Sequence, residues 1–403
     1  MLFQTLDDKS ECVGIYCDGR LIFDQLEIPE LTHTWKYSEH LRGLPDIEYA
    51  NLRLLGKPLE DAIPEHLRDD IESATAKMKA FERTLKIAKV SMADHCIYDL
   101  TPERFLIDIC EVKNRLTEHV LDAYPKPKRY KYHLLLCQML ERLSHRDLNI
   151  NTGRLEGYLL DENTKAAASR VVGKGRHIKY NQFGTTTGRL TTTPTTFPIL
   201  TLRKDMRSIV EPHNSCFLEL DFNGAEARTM ISMLGMPQPT GDIHQFHLDN
   251  VFEEGTTRPE AKQVFFSWLY GSAAAAASPE GKLLQGFYSK DKILEKYWDG
   301  SVVTTPLGRV INDVDEHHAL NYIVQSTTAE LTLLQAMKID EFLRVSGARS
   351  FISCLIHDAV VLDFHESDEG LLADIKRLMS STKFGDFGIN VSRGSDLGNL
   401  EKE

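Results

Sequence analysis

Arg258, Lys262, Phe266 and Tyr270 recur at a spacing of four in the run RPEAKQVFFSWLYG, which Gly271 closes. At about 3.6 residues per turn, such positions drift slowly round an α-helix and form one stripe. This stripe would carry two cations at its start and two aromatic rings at its end. A helix that packs on a core has no use for cations on its buried stripe. The N-terminal half of a helix also favours anions through its free N–H groups and its macrodipole, which Arg258 and Lys262 would reinforce. A helix divided in this way suits a ligand with phosphate at one end and a flat base at the other.

Two aspartates flank the run in sequence. Asp221 comes late in the apolar pattern CFLELDF, which reads as a buried strand. Asp358 lies in FISCLIHDAVVLDF, which reads as two strands turning at His357-Asp358. Two carboxylates at strand ends can meet and hold a pair of Mg²⁺ ions about 3.5–4 Å apart. One ion would lower the pKa of an attacking hydroxyl and the other would neutralise a leaving pyrophosphate. Lys262 could protonate the leaving phosphate as well as bind it. A lone aspartate at a strand end is most simply a turn or a cap, so the pair carries meaning only through the helix between them. The combination reads as a nucleotide polymerase.

The chain has 403 residues, 42% hydrophobic and 26% charged, ample for a core and for several subdomains. Its formal net charge of −12 argues against a uniformly basic nucleic-acid protein. A cleft can still be basic on an acidic body, and PKPKRYKYH (125–133) interleaves cations with tyrosines. The seven cysteines have no zinc-like spacing, which suggests free thiols in a reducing compartment. MLFQTLDDKSE is acidic where a signal peptide would be basic, and no apolar run approaches ~20 residues. The expectation is a soluble cytoplasmic protein with no membrane partner.

Residues 1 to about 60 suggest short strands, with a hairpin at Asp18-Gly19. Long helical patterns follow, from near Pro64, from Thr101 to about Ala123, and from Tyr132 to about Ser144. The stretch 175–200 is rich in Thr, Gly and Pro and reads as a shaped loop. The Ala273 to Ala277 run reads as a helix extension.

Six segments together resemble the polymerase part of family A DNA polymerases, the class of bacterial DNA polymerase I. They are TTTGRL (185–190), DFNGAEAR (221–228), GDIH (241–244), RPEAKQVFFSWLYG (258–271), NYIVQSTTAEL (321–331) and IHDA (356–359). They stand in the family's order across about residues 130 to 400. The resemblance implies an α+β right-hand polymerase fold, with helical thumb, antiparallel-sheet palm and helical fingers. Carried over residue by residue, Asp221 and Asp358 would hold two Mg²⁺ with the Phe222 carbonyl. Arg258, Lys262 and His244 would bind the triphosphate, and Phe266 and Tyr270 would wall the nascent base pair. Glu226 would lie under the sugar, bond Tyr270 and exclude a 2′-hydroxyl. Arg189, Asn321 and Gln325 would touch the duplex minor groove, and His357 the primer end. The partners implied are primer–template DNA and dNTPs.

The sequence also departs from the family. Ala359 stands where a glutamate is usual, so a third carboxylate is absent and the Asp221/Asp358 pair must suffice. Phe265 and Ser267 replace Asn and Gly, His317 replaces an Arg, and the stretch from Tyr270 to Gly308 is short. The nucleotide pocket around Phe266 is therefore where divergence is expected. The organisation expected is 1–61 an accessory region, 62–150 thumb, 151–235 palm with Asp221, 236–310 fingers, and 311–403 palm with Asp358. No room for a proofreading exonuclease is evident, so a separate exonuclease or processivity subunit would be a partner. Such economy suggests a phage-encoded enzyme acting in the host cytoplasm. Two alternatives stand beside this reading. A single-subunit RNA polymerase shares the palm, but Glu226 with Arg228 argues for deoxyribonucleotides. An inactive polymerase-like DNA-binding subunit would not need both aspartates and all four stripe residues.

Overall fold

The structure is a computed structural model that describes all residues except 9, 10, 24–29, 42, 45, 93, 94 and 253. It divides into two compact units, Met1–His145 and Arg146–Glu403.

The first unit opens with three antiparallel strands, β1 (Phe3–Asp8), β2 (Glu11–Cys17) and β3 (Arg20–Ile22). Asp18 and Gly19 both take positive φ, 48° and 76°, as a tight turn matched to strand twist requires. A parallel bridge from Leu2 to His33 joins this sheet to β4 (His33–Thr34), which pairs in parallel with β5 (Glu48–Tyr49). The three expected helices run Glu65–Ile87, Glu103–Ala123 and Tyr130–Ser144. Pro64 and Pro102 occupy the N-cap positions, where extended backbone is needed and no N–H is missed. Leu106 and Cys110 of the second helix are buried against Leu6 and Tyr16 of the small sheet. Gln4 adds a 2.9 Å hydrogen bond to Asn114. Residues 1–61 and the helices after them thus share one core.

The second unit is built on a five-stranded antiparallel sheet. Its strands are β6 (Cys216–Phe222), β7 (Phe351–Ile356), β8 (Ala359–Phe364), β9 (Ile389–Gly394) and β10 (Glu401–Lys402), in the order β7-β8-β6-β9-β10. β8 is buried at every position and reads as an unbroken apolar run apart from Asp363. β6 is central, and its half-buried residues Cys216, Glu219 and Asp221 interrupt an otherwise buried strand. Helix Glu316–Val345 is buried round most of its circumference, with Leu320, Ile323, Leu331, Ala336 and Ile339 all at 4% exposure or less. A helix apolar on all sides belongs between layers. It meets helix Ala225–Met233, where Thr229 and Thr328 hydroxyls lie 3.2 Å apart.

Residues 243–297 fold into short helices around Phe265, Trp268, Leu284, Tyr288 and Ile293, a core shared with the start of helix Glu316–Val345. The alanine run does not extend the preceding helix. Gly271 takes φ +84°, which breaks the helix, and Ser272 caps a separate one at Ala273–Ala277. His317 explains why the break needs glycine: a Cβ on Gly271 would come within 2.8 Å of its ring. Among the described residues no helix is long and apolar enough to cross a membrane.

Arg228, which the sequence sets beside Glu226 in the same motif, is 1% exposed. Its guanidinium donates to the carbonyls of Asn223 (2.7 Å), Pro239 (2.9 Å) and Gly241 (2.6 Å). It therefore locks the turn after Asp221 to the loop before His244. Arg228→Met would strand those carbonyls, and should lower unfolding free energy by at least ~2–3 kcal/mol in denaturant titration.

Candidate active site

β6 presents Asp221 at its last position but one, and the β7–β8 turn presents Asp358. The register sets Asp221 opposite Ala359, so Asp358 lies one residue from direct pairing. The turn that delivers it is strained. His357 takes φ +57° at a position where tight hairpins normally use glycine.

Both aspartates line one cavity of about 440 Å³. Phe222 and Glu226 join it from the first strand and the helix after it. Arg258, Lys262, Phe266 and Tyr270 enter along one side, and His244, Arg189 and His357 complete the wall. The helix itself runs Arg258–Leu269, with Tyr270 as its C-cap and a Thr257–Glu260 capping box at its start. The Phe266 and Tyr270 rings stack, 5.8 Å between centroids and 20° between planes. Asn321 and Gln325 do not line this cavity. They lie on helix Glu316–Val345, whose Thr328 and Ala329 instead border a second cavity of about 400 Å³. Arg189, His357 and Asp358 line both cavities.

Carboxylates crowd the strand end. Burial, then Asp358, then Glu219 push the Asp221 carboxyl up to about 7. Burial followed by Asp358 raises Glu226. Burial raises Glu219 too, against the pull of Lys204 and Arg207. Carboxylates crowded until one holds its proton near neutrality suit a hard divalent cation, as do the oxygen donors themselves. Among the described residues no group of three or more side-chain ligands is gathered round one point. Two carboxylates and the Phe222 carbonyl would leave positions for water and phosphate oxygens, the usual mode for Mg²⁺.

The cations are more constrained than the sequence suggested. Arg258 forks onto Asp242, Nε to Oδ1 at 3.0 Å and Nη2 to Oδ2 at 2.7 Å. That pairing holds the Asp242 carboxyl well below the usual range. Asp242 also caps helix Ile243–Asn250 through the N–H groups of His244 and Gln245. Lys262 is exposed. His244 is buried, and burial lowers its pKa to about 4, so at neutral pH it is a neutral hydrogen-bonding group. Glu226, 5% exposed, accepts from Arg189 Nη2 at 3.2 Å, and the Tyr270 hydroxyl is near enough to lower its pKa.

Phe265 does not belong to this cavity. It is fully buried on the adjoining, core-facing side of the helix, with His247 and Tyr288 rings at 5.2 and 5.7 Å. The odd neighbour of Phe266 therefore fills the core behind the site. Three residues near the site escaped the sequence reading. Asp242 was hidden because its role depends on a partner 16 residues away. Asn390 approaches Asp221 Oδ2 at 3.5 Å from β9. Glu219 shares a strand face with Asp221 by the two-residue period, and the pattern E-x-D in LELDF was the signal for it.

No protein-family model matches the chain. It is 24% identical over 266 residues to a DNA polymerase I of Chloroflexus aurantiacus, covering 55% of this chain and 28% of that one. It is 25% identical over 245 residues to a DNA polymerase of Bacillus phage SP01, covering 46% and 26%. A DNA polymerase I of Aquifex aeolicus is 26% identical over 243 residues, covering 49% and 42%. The matches thus span between about a quarter and two-fifths of these relatives. Among solved structures, the POL domain of Pol1 from M. smegmatis, in complex with DNA primer-template and dNTP, matches with a TM-score of 0.56 at 15% identity. That match covers 73% of this chain and 76% of that one. Over about half its length the chain is similar to DNA polymerase I, and its α+β fold is that of a polymerase domain.

The raised Asp221 pKa fixes a sign. Between the ordinary aspartate value and about 7, the folded protein keeps a proton that the unfolded chain has lost, so metal-free stability falls as pH rises. Asp221→Asn should flatten that decline and raise the metal-free melting temperature by a few degrees at pH 7.5, read by calorimetry with chelator.

Proposed function

We propose that the chain is a template-directed DNA polymerase of the family A class, extending a primer 3′ end with dNTPs. One observation carries this reading. Two strand-borne aspartates, a helix with cations then rings, and a buried glutamate beside the last ring all line one cavity. The similarity to DNA polymerase I chains supports it.

The chain's own residues divide the work. Asp221, Asp358 and the Phe222 carbonyl would hold two Mg²⁺. When bound, the ions would lower the pKa of the primer hydroxyl and offset charge gathering on the leaving pyrophosphate. Lys262 binds the triphosphate and delivers a proton to the departing pyrophosphate. Arg258 reaches the same phosphates by exchanging Asp242 for them, which ties nucleotide arrival to the N-cap of helix Ile243–Asn250. His244, neutral at the back of the site, offers a hydrogen bond without adding charge. The stacked Phe266 and Tyr270 rings form the wall for the incoming base. Arg189 and His357, shared by both cavities, mark where the primer end passes from one to the other. Asn321 and Gln325 would meet the duplex beyond the reaction centre. In this assignment residues 62–150 form the thumb, 151–235 and 311–403 the palm, and 236–310 the fingers.

The rival reading as an RNA polymerase meets Glu226. A buried carboxyl held by Arg189 beside Tyr270 leaves little room or welcome for a 2′-hydroxyl. Glu226→Ala should raise ribonucleotide incorporation relative to deoxyribonucleotide by about tenfold or more in single-nucleotide kinetics. An unchanged ratio would remove Glu226 as the gate.

Primer extension with radiolabelled dNTPs and Mg²⁺ tests the function directly. The wild-type chain should extend a primer in a template-dependent way. Asp358→Asn should abolish extension while primer–template affinity stays within about threefold, since a carboxylate contributes no attraction to phosphate. Extension retained in that variant would sink the assignment.

A further inference from the structure

We propose that Arg309 is a positioning residue, which sets the contact of Arg189 with Glu226 from behind and so tunes selection of the nucleotide sugar. The inference rests on the function proposed above and extends it to a residue outside the cavity.

Arg309 follows the turn at Gly308 and precedes the short strand Val310–Ile311. Its backbone is held at the base of that turn: Arg309 N donates to Thr305 Oγ1 at 3.0 Å, and Thr305 N donates to the Arg309 carbonyl at 2.9 Å. Its side chain is 16% exposed, and Nε donates at 2.8 Å to Glu330, whose side chain is fully buried on helix Glu316–Val345. The charge of Arg309 is therefore spent inside the protein and is not available to a phosphate.

The same guanidinium lies against Gly188 in TTTGRL. A Cβ at Gly188 would stand 2.3 Å from Arg309 Nη2 and 2.6 Å from Cζ, and the three nearest atoms all belong to Arg309. Gly188 also takes φ +79°, which a side chain would resist. The turn above this floor is stiff. Gly188 N donates to the Thr185 carbonyl at 3.2 Å, and Thr185 Oγ1 donates to the Arg189 carbonyl at 2.8 Å. The next residue, Arg189, reaches Glu226 at 3.2 Å, and Glu226 lines the cavity with Tyr270. A shift of the Gly188 backbone is thus passed through one peptide to the group that places the sugar gate. Small misplacements in such a chain cost rate out of proportion to their size.

Shape, more than charge, is what the contact with Gly188 uses. Lysine would keep the charge opposite Glu330 but not the Nη2 and Cζ atoms that lie against Gly188. The test is single-nucleotide kinetics on Arg309→Lys, with dNTP and rNTP measured separately. The ratio of their kcat/KM values should fall roughly tenfold. In a Glu226→Ala background the same substitution should change the ratio by less than about twofold, because the gate it acts through is gone. Arg309→Met/Glu330→Gln removes both charges together and guards against a folding defect in the single variant. It should show the same loss of discrimination. An undiminished ratio in both proteins, with only the melting temperature lowered, would make the pair structural and overturn the inference. Equal losses with and without Glu226 would overturn it too. A wild-type chain that fails to extend any primer would instead overturn the functional reading on which it stands.

Discussion

Like charges brought together at the end of a β-strand are the constraint on which the rest of the second unit depends. Antiparallel pairing of β6 with β8 sets Asp221 beside Ala359 and one residue from Asp358. Glu219 lies on the same face two residues earlier. A sheet that only had to be stable would not gather these groups in a half-buried place, because each costs desolvation and repels the next. The cost is met around the site. Buried strand β8 and helix Glu316–Val345 supply apolar burial beneath it, which also offsets the backbone strain at His357. Ala359 itself relieves part of the strain, since a carboxylate there would sit directly against Asp221.

The helix Arg258–Leu269 shows how one element serves two masters. Ala261, Phe265, Trp268 and Leu269 are buried in a core with Tyr288 and Leu284. Arg258, Lys262 and Phe266 run alongside and face the cavity. Phe265 and Phe266 are neighbours in sequence but about 100° apart round the helix, so one is packing and the other is wall. The first residue of the stripe is occupied as well, by Asp242. The same carboxylate caps the preceding helix, Ile243–Asn250, so the cationic end of the cavity and the fold around it share a hydrogen-bonding group.

Much of the site was legible because it obeys short periods. A spacing of four gives a helical stripe, and an apolar run ending in a carboxylate gives a strand end. Helices starting after Pro64 and Pro102 were visible for the same local reason. Misreadings fell where a second element decides. The Ala273–Ala277 run extends nothing because His317, far along the chain, packs against the break at Gly271. Arg228 sits in a motif beside Glu226, yet points away into three backbone carbonyls. The charge state of His244 was likewise not legible: burial, set by the surrounding core, makes it neutral.

The sequence by itself determined which chemical groups are present and their local spacing: two strand-end carboxylates, and a helix with cations before rings. Those follow from backbone periodicity, which is a property of near neighbours. Only the tertiary structure decided which of these groups meet and in what state. Burial, together with a strand register that brings Asp358 near, raised the Asp221 pKa, side-chain packing sent Phe265 inward, and the partners of Arg258, Glu226 and Arg309 came from elements 16 to 37 residues away. Charge, burial and hydrogen bonding act through space, and a spacing along the chain carries no record of them.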